Sequence, residues 1–149
     1  MRAVIQRVSD ARVSVDERVV GEIGAGVVAL VGVAVADQAE QARWLADRIA
    51  NLRIFPKADA DMEVSLLDVG GKALVVSQFT LYGDVRKGRR PSFIRAARSP
   101  EAEPLFDAVV SRLRQLGVET STGEFGSMMK LSLTNDGPCT ILIDGEKTF

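Results

Sequence analysis

The sequence predicts an α/β (α+β) protein: a curled mixed or antiparallel sheet, or barrel-like β core, with two main helices packed on it, in one domain spanning residues 1–149. Three observations carry that class. Most apolar stretches alternate with the two-residue period of strands, or run continuously as strands buried on both faces do. Only two stretches carry the helical period, fewer than a doubly wound parallel sheet requires. No repeat, low-complexity tract or linker divides the chain, and a hydrophobic share of 46% over 149 residues is enough to bury a real core.

Taken in order, residues 2–35 read as strands. "AVIQRVSDARVSV" is rich in β-branched residues, with Ser9 and Asp10 marking a bend, and Asp16 and Glu17 turn the chain into a hairpin return. "VVALVGVAV" (27–35) is nearly continuous apolar, the pattern of a strand covered on both sides. Asp37 with Glu40 three residues on resembles a helix cap. Beyond it Ala42, Leu45, Ala46, Ile49 and Leu52 form one helical face that ends before Phe55-Pro56. Residues 57–72 are polar, then weakly alternating, and turn at Gly70-Gly71; residues 73–84 read as a second buried strand. A basic loop follows. The second helix is expected to start between Glu101 and Pro104, because proline suits the first turn, and to end before Gly117. Its stripe is Leu105, Phe106, Val109, Leu113 and Leu116. "VETSTGEF", "SMMKLSLTND" and "CTILID" supply the closing strands, the last two reading as a hairpin around Gly137-Pro138.

Composition removes whole classes of function. The chain has no histidine, so catalysis by Ser-His-Asp, Cys-His or histidine-bound metal is excluded. Its single cysteine, Cys139, rules out an intramolecular disulfide and a cysteine zinc cage; buried, reduced and inert is the expectation for it. No apolar run approaches the roughly 20 residues of a membrane span, and the charged, alternating N-terminus is no signal peptide, so the expected setting is cytoplasmic, without membrane contact. A net charge of -1 argues against broad wrapping of nucleic acid but allows a local contact with a nucleic-acid end.

Four stretches can carry chemistry. In "VVSQFTLYGD", Ser77, Gln78 and Thr80 are polar where a core strand wants apolar groups. Either they bond neighbouring backbone at a strand end, or they line a pocket wall whose hydroxyl, amide and N–H groups face a reacting carbonyl and its oxyanion. "RKGRRPSF" gathers Arg86, Lys87, Arg89 and Arg90 with Phe93. It is either solvated surface or a clamp for phosphates with a ring to stack on a base. In "STGEFGSMM", Gly123 and Gly126 flank Phe125 ahead of Met128 and Met129; turn and core roles compete with close approach of a ligand ring. In "NDGPCT", proline gives up an amide donor and is the residue whose preceding peptide bond most readily turns cis.

These motifs together resemble the D-aminoacyl-tRNA deacylases, bacterial type, over essentially the whole chain. The matching stretches are "IQRV", "GEIGAG", "LVGV", "RIF", "SQFTLYGD", "KGRRPSF", "TGEFG" and "NDGP" with Thr140. "SQFTL" and "NDGPCT", in that order, are the specific pair. Cys139 stands where valine is expected, Gly83 where alanine is common, and "DGEKTF" has no evident role. The resemblance implies hydrolysis of the ester joining a D-amino acid, and mischarged glycine, to the acceptor end of tRNA, with neither cofactor nor metal. It implies a homodimer in which a cis Gly137-Pro138 loop of one subunit enters the other's pocket and excludes L side chains. On this footing Ser77, Gln78, Phe79 and Thr80 are the catalytic candidates, backbone N–H groups of Phe79 and Thr80 holding the carbonyl oxygen and the substrate's ribose hydroxyl assisting water. Thr80 as covalent nucleophile is the runner-up. Arg86, Lys87, Arg89, Arg90, Phe93, Phe125, Met129, Asn135 and Thr140 are the candidate contacts to substrate or tRNA. A hydrolase of small D-amino-acid esters and a non-catalytic RNA-end binding module are the alternative functions.

Overall fold

The long first strand organises the molecule, a computed structural model that describes every residue from Met1 to Phe149. Strand β1 (Arg2–Val15) pairs antiparallel with β3 (Gly26–Gly32) through residues 2–8, then with β2 (Arg18–Ile23) through residues 11–15. Ser9 and Asp10, expected as a bend, lie inside a continuous strand at the point where the partner changes. The β1–β2 turn is as expected: Asp16 and Glu17 have φ of +47° and +64°, the left-handed pair that matches strand twist in a two-residue hairpin.

Helix α1 (Ala39–Asn51) buries Ala42, Leu45, Ala46 and Ile49 of the expected stripe, while Leu52, its last member, is the extended C-cap. Its cap is Gln38, whose backbone N–H donates to the Gln41 side chain at 2.9 Å, and not Asp37. Asp37 is claimed instead by the N-terminal ammonium of Met1 at 2.6 Å and by the Ala34 N–H at 2.6 Å. With the ammonium on one oxygen and the Ala34 N–H on the other, the buried carboxylate is already engaged, and the cap falls to Gln38. Strands β4 (Arg53–Lys57) and β5 (Ala60–Ser65) form a separate antiparallel pair in a stretch whose polarity hid it.

Strand β6 (Lys72–Ser77) runs parallel to β3, and short β7 (Thr120–Thr122) runs parallel to β6. The expected strand over 73–84 therefore stops at Ser77; residues 79–82 close into a 3₁₀ turn (Phe79–Tyr82). Helix α2 (Ser99–Gln115) begins ahead of the expected start, so Pro104 lies inside it. Ser99 and Pro100 fill the free N–H positions of the first turn, and Pro104 costs one later bond. It is tolerated because Ala102, Phe106, Val109 and Leu113 are buried on the core face. Gly117 ends the helix at φ +92°, as expected.

The closing segment is the largest departure. Residues 131–144 are not a hairpin but one strand, β8 (Lys130–Asp144), and both halves pair with β1. Residues 130–135 face 8–14 of β1, and 140–144 face 2–6. Residues 136–139 stand opposite Arg7 alone and so bulge out of the ladder. The mixed sheet curls on itself far enough for the Ser121 hydroxyl of β7 to donate to the Glu22 carbonyl of β2 at 3.1 Å. Side-chain alternation then splits the core. Val27, Ala29, Val31, Ala73 and Val75 point to the helices, whereas Val28, Leu74 and Val76 join Val8 and Val13 inside the curl. That is why β3 and β6 read as unbroken apolar runs.

Candidate active site

The end of β6 decides where chemistry is placed. Ser77 pairs with Val31, the Gln78 N–H donates to the Val31 carbonyl at 2.8 Å, and there the ladder ends. On the neighbouring strand Gly32 makes the following turn fit: a Cβ there would lie 3.0 Å from the Gln78 carbonyl oxygen and 3.2 Å from the Leu81 side chain. The 3₁₀ turn opens with Leu81 N–H donating to the Gln78 carbonyl at 3.2 Å. The N–H groups of Phe79 and Thr80, ahead of that bond, have no partner within the turn.

Residues 77–79 form one wall of a chamber of about 1160 Å³. Val31 and Val33, Phe93, Ala96 and the first turn of α2, and Phe125, Gly126, Met128 and Met129 complete the lining. The lining is mostly apolar with a few polar groups, Ser77 and Gln78 at the end of β6, Arg98, Ser99 and Glu101 at the start of α2, and Ser127, the usual composition of a small-molecule site. At the mouth, Ile94 is 87% exposed and Met128 is 92% exposed, apolar surface of the kind that accompanies a binding face. Phe79 and Phe93 meet edge to face with ring centroids 5.0 Å apart, joining the turn to the loop ahead of α2.

Of the expected site residues, Ser77, Gln78, Phe79, Phe93, Phe125 and Met129 are brought together here. Thr80 is exposed and outside the lining, its hydroxyl accepting from the Gln78 side-chain amide. The basic loop is exposed and also lies outside the lining. Arg86 is committed to Asp84, donating from Nε at 2.9 Å and Nη2 at 2.5 Å, and the side-chain hydrogen bond from Arg86 holds the Asp84 carboxyl well below the usual range. Arg98 and Glu101, which sequence reasoning passed over, are charged residues of the lining. Reading the helix as starting later hid them; the Ser99-Pro100 pair at its true start was the available signal.

Gly137 and Pro138 are not part of the chamber in their own chain. The Gly137-Pro138 peptide bond is cis and the pair is solvent-exposed on the β8 bulge. Its frame is well defined. Arg7 Nε donates to the Asp136 carbonyl at 2.8 Å, and its Nη1 donates to the Ile54 carbonyl at 2.5 Å. The Asn135 side-chain amide donates across the neck to the Arg7 carbonyl at 2.9 Å and the Cys139 carbonyl at 3.1 Å. A Cβ at Gly137 would stand 2.5 Å from both Asn135 Oδ1 and the Cys139 nitrogen, so the bulge fits only glycine there. Asn135 and Thr140 thus lie at the two ends of this bulge, away from the chamber, Thr140 accepting from Gln6 Nε2 at 3.2 Å. Arg7 was missed as a site residue because an arginine in an alternating strand reads as solvent-facing. Cys139 is buried and unpaired, as expected.

A family model described as D-Tyr-tRNA(Tyr) deacylase matches residues 4–144. The chain is 55% identical over 149 residues to a D-aminoacyl-tRNA deacylase of Symbiobacterium thermophilum, covering 100% of this chain and 99% of that protein. It is 54% identical over 147 residues to the protein of that name from Thermus aquaticus, covering 99% and 97%. Among solved structures, a c-Myc DNA unwinding element binding protein superposes with a TM-score of 0.90 at 33% identity, over 97% of this chain and 98% of that one. A probable eukaryotic D-amino acid tRNA deacylase superposes with a TM-score of 0.84 at 20% identity, over 95% and 97%, which speaks to the fold.

Proposed function

Because the chain belongs to the D-Tyr-tRNA(Tyr) deacylase family, we propose that it hydrolyses the ester between a D-amino acid and the terminal ribose of tRNA, and that it proofreads handedness in doing so. The observation that carries this reading is the N–H of Phe79, a residue of the chamber's lining, and that of Thr80 next to it, neither of which is bonded within the 3₁₀ turn. They are the donors for the carbonyl oxygen as it becomes an oxyanion; one such donor is typically worth about 10²–10³ in rate. Water adds to the carbonyl carbon, the ester C–O bond breaks, and the ribose oxygen leaves with a proton; free amino acid and tRNA are the products. An activated ester needs little beyond placement and oxyanion stabilisation, which suits a chain without histidine. Ser77 and Gln78 hold the wall, and the neighbouring ribose hydroxyl of the substrate positions the water.

Selection of handedness is the task of Gly137-Pro138. In this reading two chains associate and each lends its bulge to the other's chamber, since the bulge faces solvent in its own. Main-chain oxygens at a fixed position then occupy the space an L side chain would need, while a D side chain points outward. Such a filter reads only the α-carbon, so glycyl-tRNA passes it and is cleaved as well. Arg89, Arg90 and Lys87, exposed on the loop beside Phe93, meet the phosphates of the acceptor end.

Matched D- and L-Tyr-tRNA are the direct test: the D ester is released in catalytic turnover and the L ester is spared. Thr80→Val separates the mechanisms. Its hydroxyl accepts from an amide and has no base beside it, so the variant is expected to keep kcat within about three-fold of wild type. A loss of roughly 10³-fold or more would make Thr80 the nucleophile.

A further inference from the structure

Residues 144–149, the tail to which the sequence reading gave no role, form a strap that touches both sides of the chamber's frame. Gly145 N–H donates to the Met1 carbonyl at 2.9 Å, which fixes where the strap leaves β8. Asp144 has no exposed side-chain surface; its Oδ1 accepts from the Glu146 N–H at 3.0 Å and its Oδ2 from the Thr148 N–H at 3.2 Å and the Thr148 hydroxyl. Two arginines carry the strap to the site. Arg2 lies 3.5 Å from Asp144 Oδ2 and donates from Nη2 to the Thr148 hydroxyl at 3.2 Å. Its guanidinium stands over the Tyr82 ring at 4.7 Å and the Phe149 ring at 5.5 Å. The same guanidinium donates from Nη1 to the Leu81 carbonyl at 3.0 Å, within the 3₁₀ turn that frees the Phe79 and Thr80 amides. Arg95 pairs with Glu146, and its carbonyl accepts from the Val35 N–H at 3.1 Å. Its sequence neighbours Phe93, Ile94 and Ala96 line the chamber, and Phe93 packs on Phe79 of the turn.

We propose that Asp144 and Glu146 are positioning residues for the deacylation: through Arg2 and Arg95 the C-terminal strap sets the spacing between the catalytic turn and the loop that faces it. The proposal rests on the deacylase reading for its kinetic readout only. The Arg95–Glu146 pair is 45% and 38% exposed, so its effect is small and salt-sensitive; the Arg2–Asp144 contact is 17% and 0% exposed and carries more.

The experiment is steady-state deacylation of D-Tyr-tRNA at low salt, with amide hydrogen exchange read at 93–98 and 79–82, on Glu146→Gln, Asp144→Asn and the charge-exchanged pair Arg95→Glu with Glu146→Arg. Glu146→Gln is expected to raise KM about three-fold with kcat little changed, and to speed exchange at 93–98 but not in the helices. Asp144→Asn is expected to act on 79–82 and to lower kcat. The exchanged pair is expected to recover KM toward wild type. Unchanged KM and exchange in Glu146→Gln, or a loss that only follows the melting temperature and is not recovered by the exchanged pair, overturns the proposal. If the wild type shows no turnover, the deacylase reading falls, and local exchange at 93–98 and 79–82 alone decides whether the strap positions the two segments.

Discussion

The two motifs most specific in the sequence, 77–81 and 135–140, meet opposite fates in the fold. The first ends a central strand beside β3, and its residues 77–79 line the chamber. The second bulges out of the β1–β8 ladder beside a further register shift at Val8–Asp10, is framed by Arg7 and Asn135, and is exposed to solvent. A strand end inside the sheet can aim free amides at a ligand within the same chain. A bulge on an outer strand can serve only something that approaches from outside. Under the proposed function, reaction and selection are built on separate elements, each held for its own local reason.

The most severe way to break this contrast is Gly137→Ala. The new Cβ would meet Asn135 Oδ1 and the Cys139 nitrogen at 2.5 Å, so the bulge must shift while the chamber wall stays intact. The ratio of D- to L-Tyr-tRNA cleavage is expected to fall by roughly 10²-fold, the scale of an ångström-sized misplacement. An unchanged ratio would remove the bulge from selection. Next is Arg7→Ala, which leaves the Asp136 and Ile54 carbonyls without their charged donor. A stability loss of about 1.5–3 kcal/mol is expected by denaturant melting, together with weaker discrimination and a smaller effect on cleavage of the D ester. If both esters slowed equally, the two regions would be one unit after all.

The smallest effect is one of pH. Desolvation would raise the Asp144 carboxyl, but the Thr148 and Glu146 hydrogen bonds and the Arg2 charge outweigh it, so it sits below its ordinary range. A depressed carboxyl contributes stability that is present above the unfolded-state value and lost as pH falls through the folded-state one. Melting temperature is therefore expected to be level from neutral pH down to about 4 and to drop below that, with Asp144→Asn flattening the drop.

Much of this was legible beforehand. The strips Ala42, Leu45, Ala46, Ile49 and Phe106, Val109, Leu113 announce their helices because a 3.6-residue period has no other use. The Asp16-Glu17 turn and the glycine at 117 are equally local signals. The misreadings share one cause, competition from distant groups. Asp37 looks like a cap until the chain's own ammonium reaches it. Residues 78–82 look like strand until β3 runs out at Gly32 and leaves them no ladder to join. Residues 131–144 look like a hairpin because the sequence shows a turn but not that one partner strand serves both sides of it.

Periodicity, composition and motif order thus determined the strand-rich class with two helices, the exclusion of histidine chemistry, and the residue types at the site, since each depends on chemistry within a few positions. What only the tertiary structure decided is where each motif stands: residues 77–79 on the chamber's lining, Gly137-Pro138 exposed on the β8 bulge, and the tail folded back on Arg2 and Arg95. Position depends on which strand lies alongside, and that partner is as far as 142 residues away in the chain, where no local pattern can record it.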